Sequence, residues 1–144
     1  MKMICLLLIS LSGIVNAEGL SRGNGVVIDS STYLEWQDDY SDNGGDIKNT
    51  AWNDAIDYCE DLILDEKSDW RLPTLKELSS LVDYVENNPA INAIFENTYS
   101  NSYWSSTSHS NNVESAWIVY FYDGYQDYLN KNGNSYVRCV RAGE

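Results

Sequence analysis

An α+β fold, with two helices packed on a mainly antiparallel sheet and long loops between them, is what the sequence predicts. Three observations carry that expectation. β-Prone runs open and close the chain, apolar residues recur at helical spacing only in its middle third, and no repeat or linker divides its 144 residues.

Residues 1–17, MKMICLLLISLSGIVNA, combine an early Lys2, an apolar run from Ile4 to Leu11 and the small residue Ala17 at their end. That layout reads as a cleavable secretory signal, its apolar core falling short of the roughly 20 residues a spanning helix needs. Cys5 sits inside the run and not at the end of a lipoprotein-type box, so no lipid anchor is expected. A single domain is then expected over residues 18–144, a length able to bury a core of its own.

Gly25 to Ile28 and Thr32 to Trp36 flank Asp29-Ser30-Ser31 and read as a hairpin. Asp38 to Asp46 has no apolar periodicity and reads as a surface loop. Beyond it Trp52, Ala55, Ile56, Cys59, Leu62 and Ile63 fall on one helical face, with Thr50 as N-cap and Asp54 in the first turn. Thr74-Leu75-Lys76-Glu77 is a capping box that opens a second helix, with Leu75, Leu78, Leu81, Val82 and Val85 as its apolar stripe. Pro73 separates the two helices, and Asn87-Asn88-Pro89 ends the second, leaving Ala90 to Phe95 for one more turn. The last third reads as strands over Tyr103 to Thr107, Ala116 to Tyr122, Tyr125 to Leu129 and Tyr136 to Val140, with turns at Asp123-Gly124 and Asn132-Gly133. Ala116 to Tyr122 is almost wholly apolar or aromatic, as a strand buried on both faces would be.

Nine Lys and Arg stand against 22 Asp and Glu, and the formal charge of −13 becomes one unit more negative if Lys2 is removed. Such an excess repels nucleic acid, anionic lipid and sulfated polysaccharide at long range. The expected partner is a glycan or protein that is neutral, cationic or metal-bridged. No integral membrane segment is expected after the signal, since no later apolar stretch is long enough. With Cys5 gone, Cys59 and Cys139 form an even pair in an oxidising compartment and are expected to bridge.

Three segments are more specific. They are Thr50-Ala51-Trp52-Asn53-Asp54-Ala55 leading to Tyr58-Cys59, Asp69-Trp70-Arg71-Leu72-Pro73-Thr74 with Glu77-Leu78, and Tyr103-Trp104-Ser105-Ser106-Thr107 with Val137-Arg138-Cys139-Val140-Arg141. In this order, from about Val26 to Arg141, they resemble the C-terminal domain family of the Legionella collagen-like adhesin. A looser similarity links the chain to sulfatase-activating domains and the C-type lectin-like fold. The resemblance implies a first-helix cysteine bridged to one in the final strand, in agreement with the pairing reached from the cysteine count. It also implies termini close together on paired strands, and long loops carrying the binding surface. Trp52, Trp70, Leu72, Pro73, Trp104 and Arg138 read as architectural, and Arg71 as a partner for loop carbonyls or for Glu77 or Asp69. The namesake adhesin is associated with sulfated glycosaminoglycans, which need a basic surface, so sulfated polyanions are not expected ligands of this acidic chain. The sequence also holds no collagen-like Gly-X-Y run.

No enzymatic activity is expected. His109 is the only histidine, lies in Thr107-Ser108-His109-Ser110-Asn111 without a nucleophile motif, and reads as a solvated loop residue. The sulfatase-activating relatives depend on reactive cysteines beyond the structural pair, and no spare cysteine is left here; spacing singles out no pair of carboxylates either. No cofactor is expected, with calcium as the alternative: Asp39, Ser41, Asn43 and Gly44 reproduce the start of a D-x-[DNS]-x-[DN]-G loop. Thr50 stands where an EF-hand needs Glu, so a solvated acidic loop is the other reading. The aromatic residues after Tyr99 are interleaved with Ser, Asn and Gly, a mixture suited to recognition. Among them Tyr122, Tyr125 and Tyr128, near the Asp123-Gly124 turn, are the candidate ligand-binding residues. The chain therefore reads as an exported adhesion or recognition module, periplasmic or at the cell surface, and alternatively as a structural module of an envelope assembly.

Overall fold

The computed structural model describes residues 19–143, so the signal-peptide reading of residues 1–17 lies outside the described residues. Among the described residues, two sheets and two α-helices make up an α+β architecture. The first sheet is antiparallel throughout and runs β1-β2-β3-β9, from Leu20–Gly23, Val26–Asp29, Leu34–Gln37 and Val140–Ala142. The expected hairpin is its centre, with Val27 opposite Trp36. Strand β1 is an addition to the sequence reading. Asn24 and Gly25 both adopt left-handed conformations, φ 54° and 74°, which a two-residue hairpin turn requires. Gly25 is doubly constrained, because a Cβ there would strike the Asp39 side chain. The Asn-Gly signal was present, but Leu20-Ser21-Arg22-Gly23 carries one apolar residue and so no strand pattern.

Strands β1 and β9 share this sheet without pairing, being separated by β2 and β3. The expectation of paired terminal strands is corrected. The tight Asn24-Gly25 turn commits β1 to the outer edge of β2, and only the free edge of β3 is left for β9.

The second sheet runs β4-β8-β5-β6-β7, from Asn49–Thr50, Ser135–Tyr136, Ser102–His109, Asn112–Tyr120 and Tyr125–Asn130. Its one parallel contact joins β5 to β8 at Tyr103 and Tyr136. Side chains alternate across it. Tyr103 and Val119 enter a core with Trp36, Leu78 and Phe95, while Trp104, Ala116 and Ile118 enter a second core with Ala55, Cys59 and Trp70. Helix α1, Trp52–Asp61, and helix α2, Leu75–Ser79, therefore cover opposite faces.

Both helices depart from the sequence reading at their ends. Thr50 belongs to β4 and does not cap α1; Ala51 takes the cap position with no side-chain bond, and the Trp52 amide bonds Lys131 O instead. Ile63 lies beyond the end of α1 and is 73% exposed, since helical spacing no longer orients it. The Thr74–Glu77 capping box forms in full, yet α2 lasts only five residues. Leu78 and Leu81 are buried as the stripe implies, whereas Val85 is 90% exposed. The chain leaves the helical path because residues 80–101 pack along the β6–β7 turn: Asn88 N bonds Tyr122 O and Ala90 N bonds Phe121 O. Residues 90–95 form no helix, and Ile91 bridges to Val82.

The expected final strand from Tyr136 to Val140 is split between the sheets, β8 in the second and β9 in the first. Residues 137–139 make the step, held by Val137 N on Lys48 O, Cys139 N on Gln37 Oε1 and Gln37 N on Cys139 O. Cys139 is bridged to Cys59, tying that step to α1 with both sulfurs in the core. No described helix is long and apolar enough to cross a membrane.

Candidate functional site

Two of the buried charges of this domain, Asp38 and Arg138, are paired with each other. Asp38, assigned from sequence to a solvated loop, is fully buried. Its Oδ1 accepts from Arg138 Nη1 and Asn97 N, each at 3.1 Å, and its Oδ2 from Arg22 Nε and Glu96 N, each at 2.9 Å. Arg138 also donates to Gln37 O at 2.6 Å, Asn97 O at 2.5 Å and Thr98 Oγ1 at 2.8 Å, with its guanidinium 4.7 Å above the Phe95 ring. Tyr40 is buried beside it, and burial pushes its hydroxyl pKa well above the ordinary value. The loop reading of residues 38–46 is thus corrected at Asp38 and Tyr40, because Arg138 draws the start of the loop inward.

Arg71 takes Glu77, not Asp69, in a two-pronged pair of 2.7 and 2.8 Å, and Arg141 takes Asp69 at 2.7 Å together with Glu35. Trp70, Leu72 and Trp104 are core residues. Trp52 is partly buried under the Lys131 ammonium, with its indole N–H on Ser105 O. Hydrogen bonding from Arg71 holds the Glu77 carboxyl below its ordinary pKa of 4.5, outweighing partial burial, and the Thr74 amide adds to this. The stability contributed by this pair is therefore complete above about pH 4.5 and lost as pH falls through the folded-state value. Arg71 is 44% exposed, so solvent screens the pair and about 0.5–1 kcal/mol is expected. Glu77→Gln keeps the capping geometry. Urea unfolding should show it less stable than the parent at pH 7, with the gap narrowing as pH falls below 4.5; a gap unchanged by pH would overturn this assignment.

The candidate calcium residues have other partners. Asp39 Oδ1 accepts from the Ser41 amide at 2.8 Å and the Ser41 hydroxyl at 2.6 Å, bonds that lower its carboxyl pKa. Asn43 Nδ2 donates to Asp46 O, and Asp46 Oδ1 accepts from the Tyr99 hydroxyl. Among the described residues, no three His, Cys, Asp or Glu side chains gather where a metal ion could be held.

The aromatic residues on and around the β6–β7 hairpin form two groups. The hairpin about Asp123-Gly124 sets Tyr120 opposite Tyr125 and Trp117 opposite Tyr128, so Tyr125 and Tyr128, an odd number of positions apart, face opposite sides of the sheet. Tyr122 stacks on Tyr120 with ring centroids 6.1 Å apart. Tyr125 lines an open pocket of about 460 Å³ with Tyr84, Asp123, Gly124 and Gln126. Tyr128 instead joins His109 and Trp117, with centroids 4.2 Å from His109 and 5.7 Å from Trp117. The three candidate tyrosines are 47%, 61% and 45% exposed in chain order, yet they do not converge on one point. The sequence reading missed Tyr84, His109 and Trp117. Trp117 was recoverable by writing out the Asp123-Gly124 hairpin register; Tyr84 was not, since a long irregular connection delivers it. His109 is corrected from a solvated loop residue to the last residue of β5, partly covered by two rings.

A disulfide-closed α+β domain, with paired charges inside and aromatic rings outside, is the class these features define. Residues 25–141 match the sequence model of the Lcl C-terminal domain, and the chain belongs to that family, an adhesin-associated module. A search among curated proteins finds no match.

Proposed function

We propose that this is an exported recognition module without catalytic activity, binding a glycan or protein through aromatic residues exposed on the second sheet and its β6–β7 turn. The observation that carries this reading is the grouping of rings on open strand surface, while Asp38, Arg138 and Arg141 are engaged internally. Rigid aromatic side chains rimmed by Ser and Asn provide contact area and adaptable hydrogen bonds with little entropy to lose. A C-type lectin-like arrangement is the finer fold reading, supported by the helix-to-last-strands disulfide and the long connections. Export to the periplasm or cell surface is supported by that disulfide and by the family. The reading calls on no resident cofactor, and Asp39 Oδ1 and Asn43 Nδ2 are engaged in hydrogen bonds within their own loop.

Arrays of glycans and of surface proteins, probed with residues 18–144 in the presence and absence of calcium, test this reading. Binding to a restricted set of spots, unchanged by calcium, is expected. Blank arrays under both conditions would sink it.

A further inference from the structure

We infer that Trp117, Tyr128 and His109 form the floor of a subsite for a neutral saccharide ring, an inference that rests on the recognition reading and names its ligand class. The three rings come from three adjacent strands, β6, β7 and β5, so sheet hydrogen bonding holds their relative positions before any ligand arrives. His109 lies 5.2 Å from Trp117 and 4.2 Å from Tyr128, centroid to centroid.

The floor is open because α2 is too short to cover it. Five helical residues span roughly 7–8 Å, whereas the nine of β6 span about 30 Å. The helix is attached to the sheet by Leu75 N on Thr107 Oγ1 and by Gln126 Nε2 on Ser79 Oγ. Past those bonds the same face carries Tyr128, which is 45% exposed, with Trp117 and His109 partly buried beside it, then Val113, which is 71% exposed. Exposed Ser110, Asn111, Asn112 and Asn130 border it. This is an apolar surface with a polar rim.

Ligand class follows from the chemistry. The C–H face of a pyranose ring stacks on aromatic faces while its equatorial hydroxyls reach outward to amides and hydroxyls, the groups that make this rim. A quaternary ammonium requires rings arranged around a void, and here the rings touch one another and leave none. Sulfated and uronic-acid saccharides are opposed by the formal charge of −13. Strand addition by a protein is opposed as well. β7 is an edge strand, and because Lys131 N bonds Glu114 O its even-numbered amides face outward; Asp127 Oδ1 occupies that of Tyr128 at 2.8 Å.

The test uses residues 18–144 and a panel of cello-, xylo-, malto-, chito-, galacto- and manno-oligosaccharides, with dextran sulfate and choline as charged comparisons, read by saturation-transfer NMR and calorimetry. At least one neutral series should bind, tightening with chain length. Tyr128→Ala and Trp117→Ala should each weaken it at least fivefold, while Trp117→Phe, which keeps a ring in the floor, and Ile63→Ala, at an exposed side chain beyond the end of α1, stay within twofold. Melting curves confirm that each variant is folded, and Tyr128→Ala, at a half-exposed ring, guards against a Trp117→Ala variant that fails to fold. Neutral binding that survives both alanine changes would overturn the assignment of this floor and leave the recognition reading standing. Binding only of protein or dextran sulfate would overturn the neutral-saccharide class, again without touching that reading, whereas binding only of choline, or blank arrays, would overturn both.

Discussion

Asp38→Ala is expected to destabilise the fold by about 3–5 kcal/mol, the loss typical when one member of a buried ion pair is removed and the other stays behind. Arg138 is 1% exposed and would keep its charge with only Gln37 O, Asn97 O and Thr98 Oγ1 as acceptors. Three further donors would lose an acceptor: Arg22 Nε, Glu96 N and Asn97 N. The carboxylate thus closes three separate pieces of chain onto one point, β1, residues 96–97 and the step between β8 and β9. Asp38→Asn keeps the volume and one acceptor oxygen, and should fall between parent and Asp38→Ala. Equilibrium unfolding in urea measures both. A loss below about 1 kcal/mol for Asp38→Ala would show that the pair contributes little beyond what desolvation takes away.

Removing the disulfide is expected to have a comparable effect. Cys59 and Cys139 enclose a separation of 80 residues, for which loop-closure entropy gives about 4 kcal/mol, within the range of 2–5 found when native disulfides are lost. Cys59→Ala and Cys139→Ala should each unfold at markedly lower urea concentration, and the double variant should match either single one, since one bond is lost in every case. Thiol titration of unfolded, unreduced residues 18–144 should find none. Two titratable thiols would refute the bridge, and a doubly additive loss would show that the cysteines stabilise by packing instead.

The residues that carry the family match and those proposed to carry binding are different sets. Trp70, Leu72, Trp104, Arg138 and Cys139 are buried, and each holds a place in the frame. His109, Trp117 and Tyr128 lie outside the segments that carried the sequence resemblance, on the surface between them. Family membership thus follows from the frame, and ligand choice is left to the exposed face.

Much of the frame was legible from local chemistry. The β2–β3 hairpin, the capping box at Thr74, the buried strand through Ile118 and the Cys59–Cys139 bridge each depend on short-range signals or on cysteine parity. What the sequence could not show were features decided by partners far along the chain. Asp38 looks like any loop carboxylate until Arg138, 100 positions away, reaches it. Leu81, Val82 and Val85 continue a helical stripe, but residues 80–101 gain more by bonding the β6–β7 turn than by extending α2. Tyr136 to Val140 is β-prone throughout like a single strand, yet Gln37 in β3 and Lys48 just before β4 pull its halves into different sheets. The aromatic floor follows the same rule. Period-two alternation determines which residues share a strand face, and only strand order and the length of the covering helix determine which of those faces meets water.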